Sequence, residues 1–206
     1  MADIHPQYRE LFLRIAQHEM GHYVVCRHFG FRTGFVSVQV DGLTSGHKGG
    51  AEMELNLPTR SLVDLEEYLW RRISVLYAGA LSEPLFVGAP VKAITEDNQR
   101  EAMRVIEDPQ SGANVDHAKI RELRFILRNI RCPNTSVLDE KAILAELQAL
   151  DEEAWSRTIK VVDQHYMTIV GLAGNMTQRL TKMREKVVMT AADLEAIPAV
   201  AAIQPV

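Results

Sequence analysis

The chain has 206 residues, 47% of them hydrophobic and 24% charged, with a net charge of −4. A globular chain of this size, of one domain or two small ones, buries a sizeable core without cross-links, so a metal here would serve chemistry rather than folding. The charge balance gives no basic excess for nucleic acid or an anionic membrane surface, and no window approaches the roughly 20 apolar residues of a membrane helix.

Residues 1–10 are polar and carry no apolar leader stretch, which points to a soluble protein. From residue 8 to 29 apolar side chains recur at helical spacing (Leu11, Phe12, Ile15, Val25, Cys26, Phe29), and Gly30 stands where a helix ends in a left-handed residue. Residues 35–40 alternate and are rich in β-branched types, a strand pattern. A glycine-rich loop over 42–50 leads to a returning strand over 51–57, stopped by Pro58. The remainder reads as helix: 61–77 capped by Ser61, 96–107, 113–130, and a long region opened by Ser136 and Asp139 and running to about 186, bent near Gly171 and Gly174. Thr190 caps a last short turn before Pro198, and the Ala/Pro-rich tail reads as loose. The expected fold is mainly α (α+β), with one small hairpin or sheet early in the chain and a helical C-terminal region.

The chemistry sits in the first helix. His18-Glu19-Met20-Gly21-His22 matches HExxH. Residues four apart lie on one helix face, so both imidazoles can reach one Zn²⁺ at about 2.0–2.1 Å. Glu19 is rotated about 100° from His18, past the metal rather than onto it, where it can hold an attacking water. Left without a metal, two histidines and an acid between Ile15 and Cys26 would make a poor core face. Gly21 costs about 1 kcal/mol against alanine in a helix interior and calls for a packing reason.

Catalytic zinc usually takes a third protein ligand. Cys26 lies two turns from His18, about 12 Å along the axis, which makes it a core cysteine. Cys26 and Cys132 form no CxxC pair and no disulfide framework, as in a reducing, cytoplasmic setting. His28 faces elsewhere, and His5 and His47 fall in a tail and a loop. Spacing leaves Glu83, Asp97, Asp116 and His117 open as the third donor.

Across most of its length the chain resembles the peptidase domain of the FtsH family of ATP-dependent zinc proteases. The likeness rests on the HExxH helix, on residues 35–40 and 50–58 as a strand pair ending in Leu57-Pro58, on residues 73–83, and on Gly112-Ala113-Asn114-Val115-Asp116. Residues 190–197 are similar to the segment that closes that domain. The resemblance implies a single zincin-like domain over 1–206, with a metal-binding part over about 8–130 and a C-terminal helical part over about 136–197. It implies Asp116 as third zinc ligand and Glu83 as the carboxylate that orients a histidine. Ala78 and Ala80 replace a glycine and the arginine of the family's middle motif, Pro84 follows Glu83, and residues 89–109 look inserted.

The expected activity is that of a zinc metalloendopeptidase for flexible or unfolded polypeptides, with His18, His22 and Asp116 on the metal and Glu19 as base. No GxxxxGK[ST] phosphate loop occurs, so an unfoldase motor would be a separate AAA ATPase chain, and the family's rings imply a homo-hexamer. Two other readings stand beside it: a zincin that processes one regulatory protein, and a non-catalytic metal-binding adaptor that has kept the fold.

Overall fold

Pro6 occupies the first turn of helix α1 (Pro6–His28), the one position where its missing N–H costs nothing. The helix stops as the chain turns through Gly30 at φ 80°. Every residue from Ile15 to Cys26 is buried, so this is a central helix, covered by neighbours on all sides. The computed structural model describes residues 4–43, 46–85, 94–108, 111 and 113–206.

The covering elements are strands β1 (Arg32–Val40), β2 (His47–Glu54) and β3 (Lys186–Met189), and helices α2 (Leu62–Ser82), α3 (Glu96–Glu107), α4 (Ala113–Arg131) and α5 (Glu140–Gln178). Two short turns close the chain, α6 (Ala191–Glu195) and α7 (Pro198–Ala201). Among the described residues the protein is 65% helical with one small antiparallel sheet, the mainly α class its sequence implied. The helix α2 crosses α1 closely because Gly21 lies against Ala78 and Ser82, where a Cβ has no room; that is the packing reason its position called for. On its other sides α1 meets α5 and β1.

The sheet has the order β2-β1-β3. Val36, Val38 and Val40 of β1 point into the core and are fully buried, as period-2 alternation requires. The third strand departs from expectation. The helical pattern in the sequence runs on through residues 178–186, yet α5 ends at Gln178 and β3 pairs with β1, Val36 opposite Met189 and Val38 opposite Val187. Four residues are too short a run for alternation to register, although Val187 and Met189 do alternate inward.

Other boundaries shift too. The returning strand β2 starts at His47, so Gly49 and Gly50 lie in the strand and not the loop; loop residues 44 and 45 lie outside the described set. α2 continues to Ser82, five residues past the expected end. Asp139 alone caps α5, accepting from the Ala142 N–H at 3.0 Å, while Ser136 accepts from Leu138. Gly171 and Gly174 do not interrupt α5, and a Cβ at either would meet open space. The tail is anchored, with Val200 and Ile203 buried and the Val206 N–H donating to the His28 carbonyl at 3.0 Å. The segment 89–109 lies partly outside the described residues, and its described part is α3, capped by a Thr95–Asn98 box.

Candidate metal centre

A helix buried on all sides is normally apolar on all sides. α1 instead buries Gln17, His18, Glu19 and His22, and each polar group needs a partner or a purpose. Gln17 donates to the Leu85 carbonyl at 2.6 Å, which settles it structurally. The other three point into one cleft of about 460 Å³, lined by α1, α2, the first turn of α4 and β2.

Within it, His22 Nε2 lies 3.1 Å from His18 Nε2 and 3.0 Å from an Asp116 oxygen, and His18 Nε2 lies 3.6 Å from the same oxygen. Two atoms bound at about 2.0–2.1 Å to one tetrahedral ion stand about 3.3 Å apart. The three donors therefore already sit at the separations of ligands on one ion, and they form a group able to hold a metal. Asp116 belongs to the first turn of α4 and reaches α1 from a distant part of the chain. Its other oxygen takes an ion pair from Lys119 at 3.2 Å.

The far side of each ring is fixed. His22 Nδ1 lies 2.7 Å from the Val75 carbonyl; a carbonyl only accepts, so Nδ1 carries a proton and Nε2 is the nitrogen turned into the cleft. His18 Nδ1 lies 3.4 Å from Glu83 Oε2, and Arg14 holds the other Glu83 oxygen at 3.1 Å. Burial works against charge on all of these groups. At His18 it is outweighed by Asp116, Glu83 and Glu19, which push the imidazole up to about 10. At Asp116 and Glu83 it is outweighed by the histidines, with Arg14 also acting on Glu83, and both carboxylates stay below their usual range.

Two glycines make the centre fit. A Cβ at Gly79 would stand 2.5 Å from His22 Nε2 and 2.6 Å from His18 Nε2, so only a bare backbone lets α2 back the rings. Gly49 on β2 lies against the Glu19 carboxylate, and a Cβ there would strike it. Glu19 is thereby held between the histidines and the edge of the sheet, with no hydrogen bond from another described residue.

Of the four open third donors, the structure brings Asp116 to both rings and Glu83 to the back of His18. Asp97 is exposed and pairs with Arg100, and His117 sits among Arg121, Arg124 and Asp151. Cys26 is fully buried and its thiol is pushed up to about 12 by burial. His28 turns to α5, and His47 opens β2 at the rim of the cleft rather than lying in a loop. Sequence reasoning missed Arg14, Val75 and Gly79. Gly79 carried a signal, since a mid-helix glycine asks for a reason just as Gly21 did; a backbone carbonyl leaves none. No known protein-family model matches the chain, and no curated protein matches it in sequence.

Proposed function

We propose that the protein is a zinc metalloendopeptidase of the FtsH type, with His18, His22 and Asp116 on the metal. One observation carries the reading: three donors at ligand spacing converge beside the carboxylate of Glu19, with open cleft in front of them. Two imidazoles and one carboxylate are a donor set that suits catalytic Zn²⁺ and leaves one coordination position free. The residues behind the ligands support it further, because a half-buried carboxylate on His18 and a carbonyl on His22 are what orient metal-binding imidazoles.

A zinc ion held there supplies a Lewis acid and a water acidified from 15.7 to about 7. Glu19 takes the proton from the attacking water and returns it to the leaving amine. The edge strand β2 lines the cleft, and among the described strands only β1 pairs with it. An extended polypeptide adds there as a further strand, its scissile carbonyl near Gly49 and Glu19. That mode selects flexible or unfolded segments. Among the described residues no helix is long and apolar enough to cross a membrane, and a cytoplasmic hexamer served by a separate AAA ATPase is the assembly this reading favours.

The test is Glu19→Gln. Zinc content should stay at one per chain while cleavage of casein falls by about 10²–10⁴, the usual worth of a positioned general base. Undiminished cleavage with zinc bound in both proteins would remove Glu19 from the mechanism. Metal bound by the wild type with no proteolysis of casein or of any tested partner protein would instead favour the adaptor reading.

A further inference from the structure

Arg72 is a charged group of the cleft wall that neither the metal nor the base accounts for. Arg72 lies on α2 seven residues before Gly79, two helical turns and so nearly the same face. It lines the cleft at the end beyond His22, while Glu83 and Arg14 lie at the His18 end. Its guanidinium carries five N–H donors, yet the one hydrogen bond it makes among the described residues is from Nη1 to the Met53 sulfur at 2.9 Å. A thioether is a weak acceptor.

The other half-buried or buried arginines behave differently. Arg14, Arg27, Arg71, Arg124, Arg128 and Arg157 each hold a carboxylate. Arg72 holds none among the described residues, although a guanidinium taken largely out of water needs one. Burial lowers its affinity for its own proton, and the charge of Asp116 across the cleft offsets this only in part. Met53 touches it, and Ala51 and Leu76 are further apolar residues of the cleft wall; apolar lining strengthens any ion pair made there. Lys48 on the rim adds to the positive potential.

We propose that Arg72 is a substrate-recognition residue that binds a carboxylate of the peptide about three residues from the scissile bond. The placement comes from the helix: seven residues at 1.5 Å carry Arg72 about 10 Å from the Gly79 backing of the histidines, the length of about three residues of extended chain. A planar fork facing an open cleft pairs bidentately with a carboxylate. That carboxylate is either an Asp or Glu side chain or the free C-terminus of the substrate. The inference rests on the peptidase reading for its register, and on Arg72 alone for its chemistry.

The probes are fluorescent decapeptides in which a single Glu or Gln is stepped along an otherwise uncharged sequence, each with a free or an amidated C-terminus. Binding is read by anisotropy on zinc-loaded Glu19→Gln protein, and kcat/KM on wild type. The structure assigns at least a tenfold preference for Glu over Gln at one position of the amidated peptides, or for the free over the amidated terminus. Arg72→Met should bring that ratio to about one, and Arg72→Lys should keep part of it. Circular dichroism and zinc content check the fold of both variants. Equal binding of all peptides by the parent protein, or an unchanged ratio in Arg72→Met, overturns the proposal whether or not peptides are cut. Selective binding through Arg72 without any cleavage keeps the subsite and sinks the peptidase reading instead.

Discussion

Two histidine pairs in this molecule look alike and behave in opposite ways. His18 and His22 bring ring nitrogens to 3.1 Å with rings at 81°, and His28 and His165 do the same at 3.1 Å and 67°. Around the first pair stand Asp116, Glu83 and Glu19, and His18 is pushed up to about 10. The second pair, between the end of α1 and α5, has Arg71 nearby and, among the described residues, no carboxylate acting on it. Burial lowers both of its rings, His165 to about 4, so one neutral ring donates to the other and the hydrogen bond is complete in itself. What makes the first pair a group able to hold a metal is thus the acid that converges on the rings. The spacing of the rings alone does not.

The largest effect should come from breaking the first pair. His22→Ala or Asp116→Ala should abolish stoichiometric zinc on metal analysis, whereas His165→Ala should leave it at one per chain. Zinc retained by Asp116→Ala would move the third ligand elsewhere. A smaller effect belongs to Glu83, which touches His18 through the nitrogen facing away from the other donors. Glu83→Gln keeps the size of the side chain and loses its charge. It should weaken zinc by about 10–100-fold in a competition titration, the usual cost of removing a carboxylate behind a ligating imidazole. An unchanged affinity would leave Glu83 as no more than a partner of Arg14.

The histidine pair on α1 was legible because both rings and Glu19 lie within five consecutive residues, on a helix whose geometry is fixed by its hydrogen bonds. Asp116 was one of four donors that spacing left open and was singled out only by a family resemblance, because its approach depends on how α4 packs on α2, a long-range matter that local spacing does not encode. The second pair was invisible for the same reason, its members standing 137 positions apart. Strand β3 failed differently. It is four residues long, comes after a 39-residue helix, and owes its state to pairing with β1 rather than to its own propensity. The buried face of β1 was plain from alternation, yet nothing in it says which segment will take its second edge.

The smallest effect distinguishes the pairs by the sign of their pH dependence in metal-free protein. His18 has a folded pKa above the ordinary 6.5, so its contribution to stability is full below about 6.5 and is lost as pH rises through about 10. His28 and His165 have folded pKa values below 6.5, so the folded state binds fewer protons than the unfolded one. Their contribution is full above about 6.5 and is lost as pH falls towards about 4. Protonating His165 sets a charge against His28, which itself lies near Arg71, whose guanidinium also donates to the Phe29 carbonyl at 2.9 Å. Between pH 6.5 and 5 the shift at His165 corresponds to roughly 2 kcal/mol, and partial solvent screening of a half-buried ring reduces this to about 1. Unfolding free energies from urea titrations at pH 7 and pH 5 should differ by that amount in wild type, after subtraction of the same difference in His165→Phe, which has no proton to take up. If His165→Phe loses as much stability as wild type over this interval, the acid sensitivity lies in the carboxylates of the molecule and not in its second histidine pair.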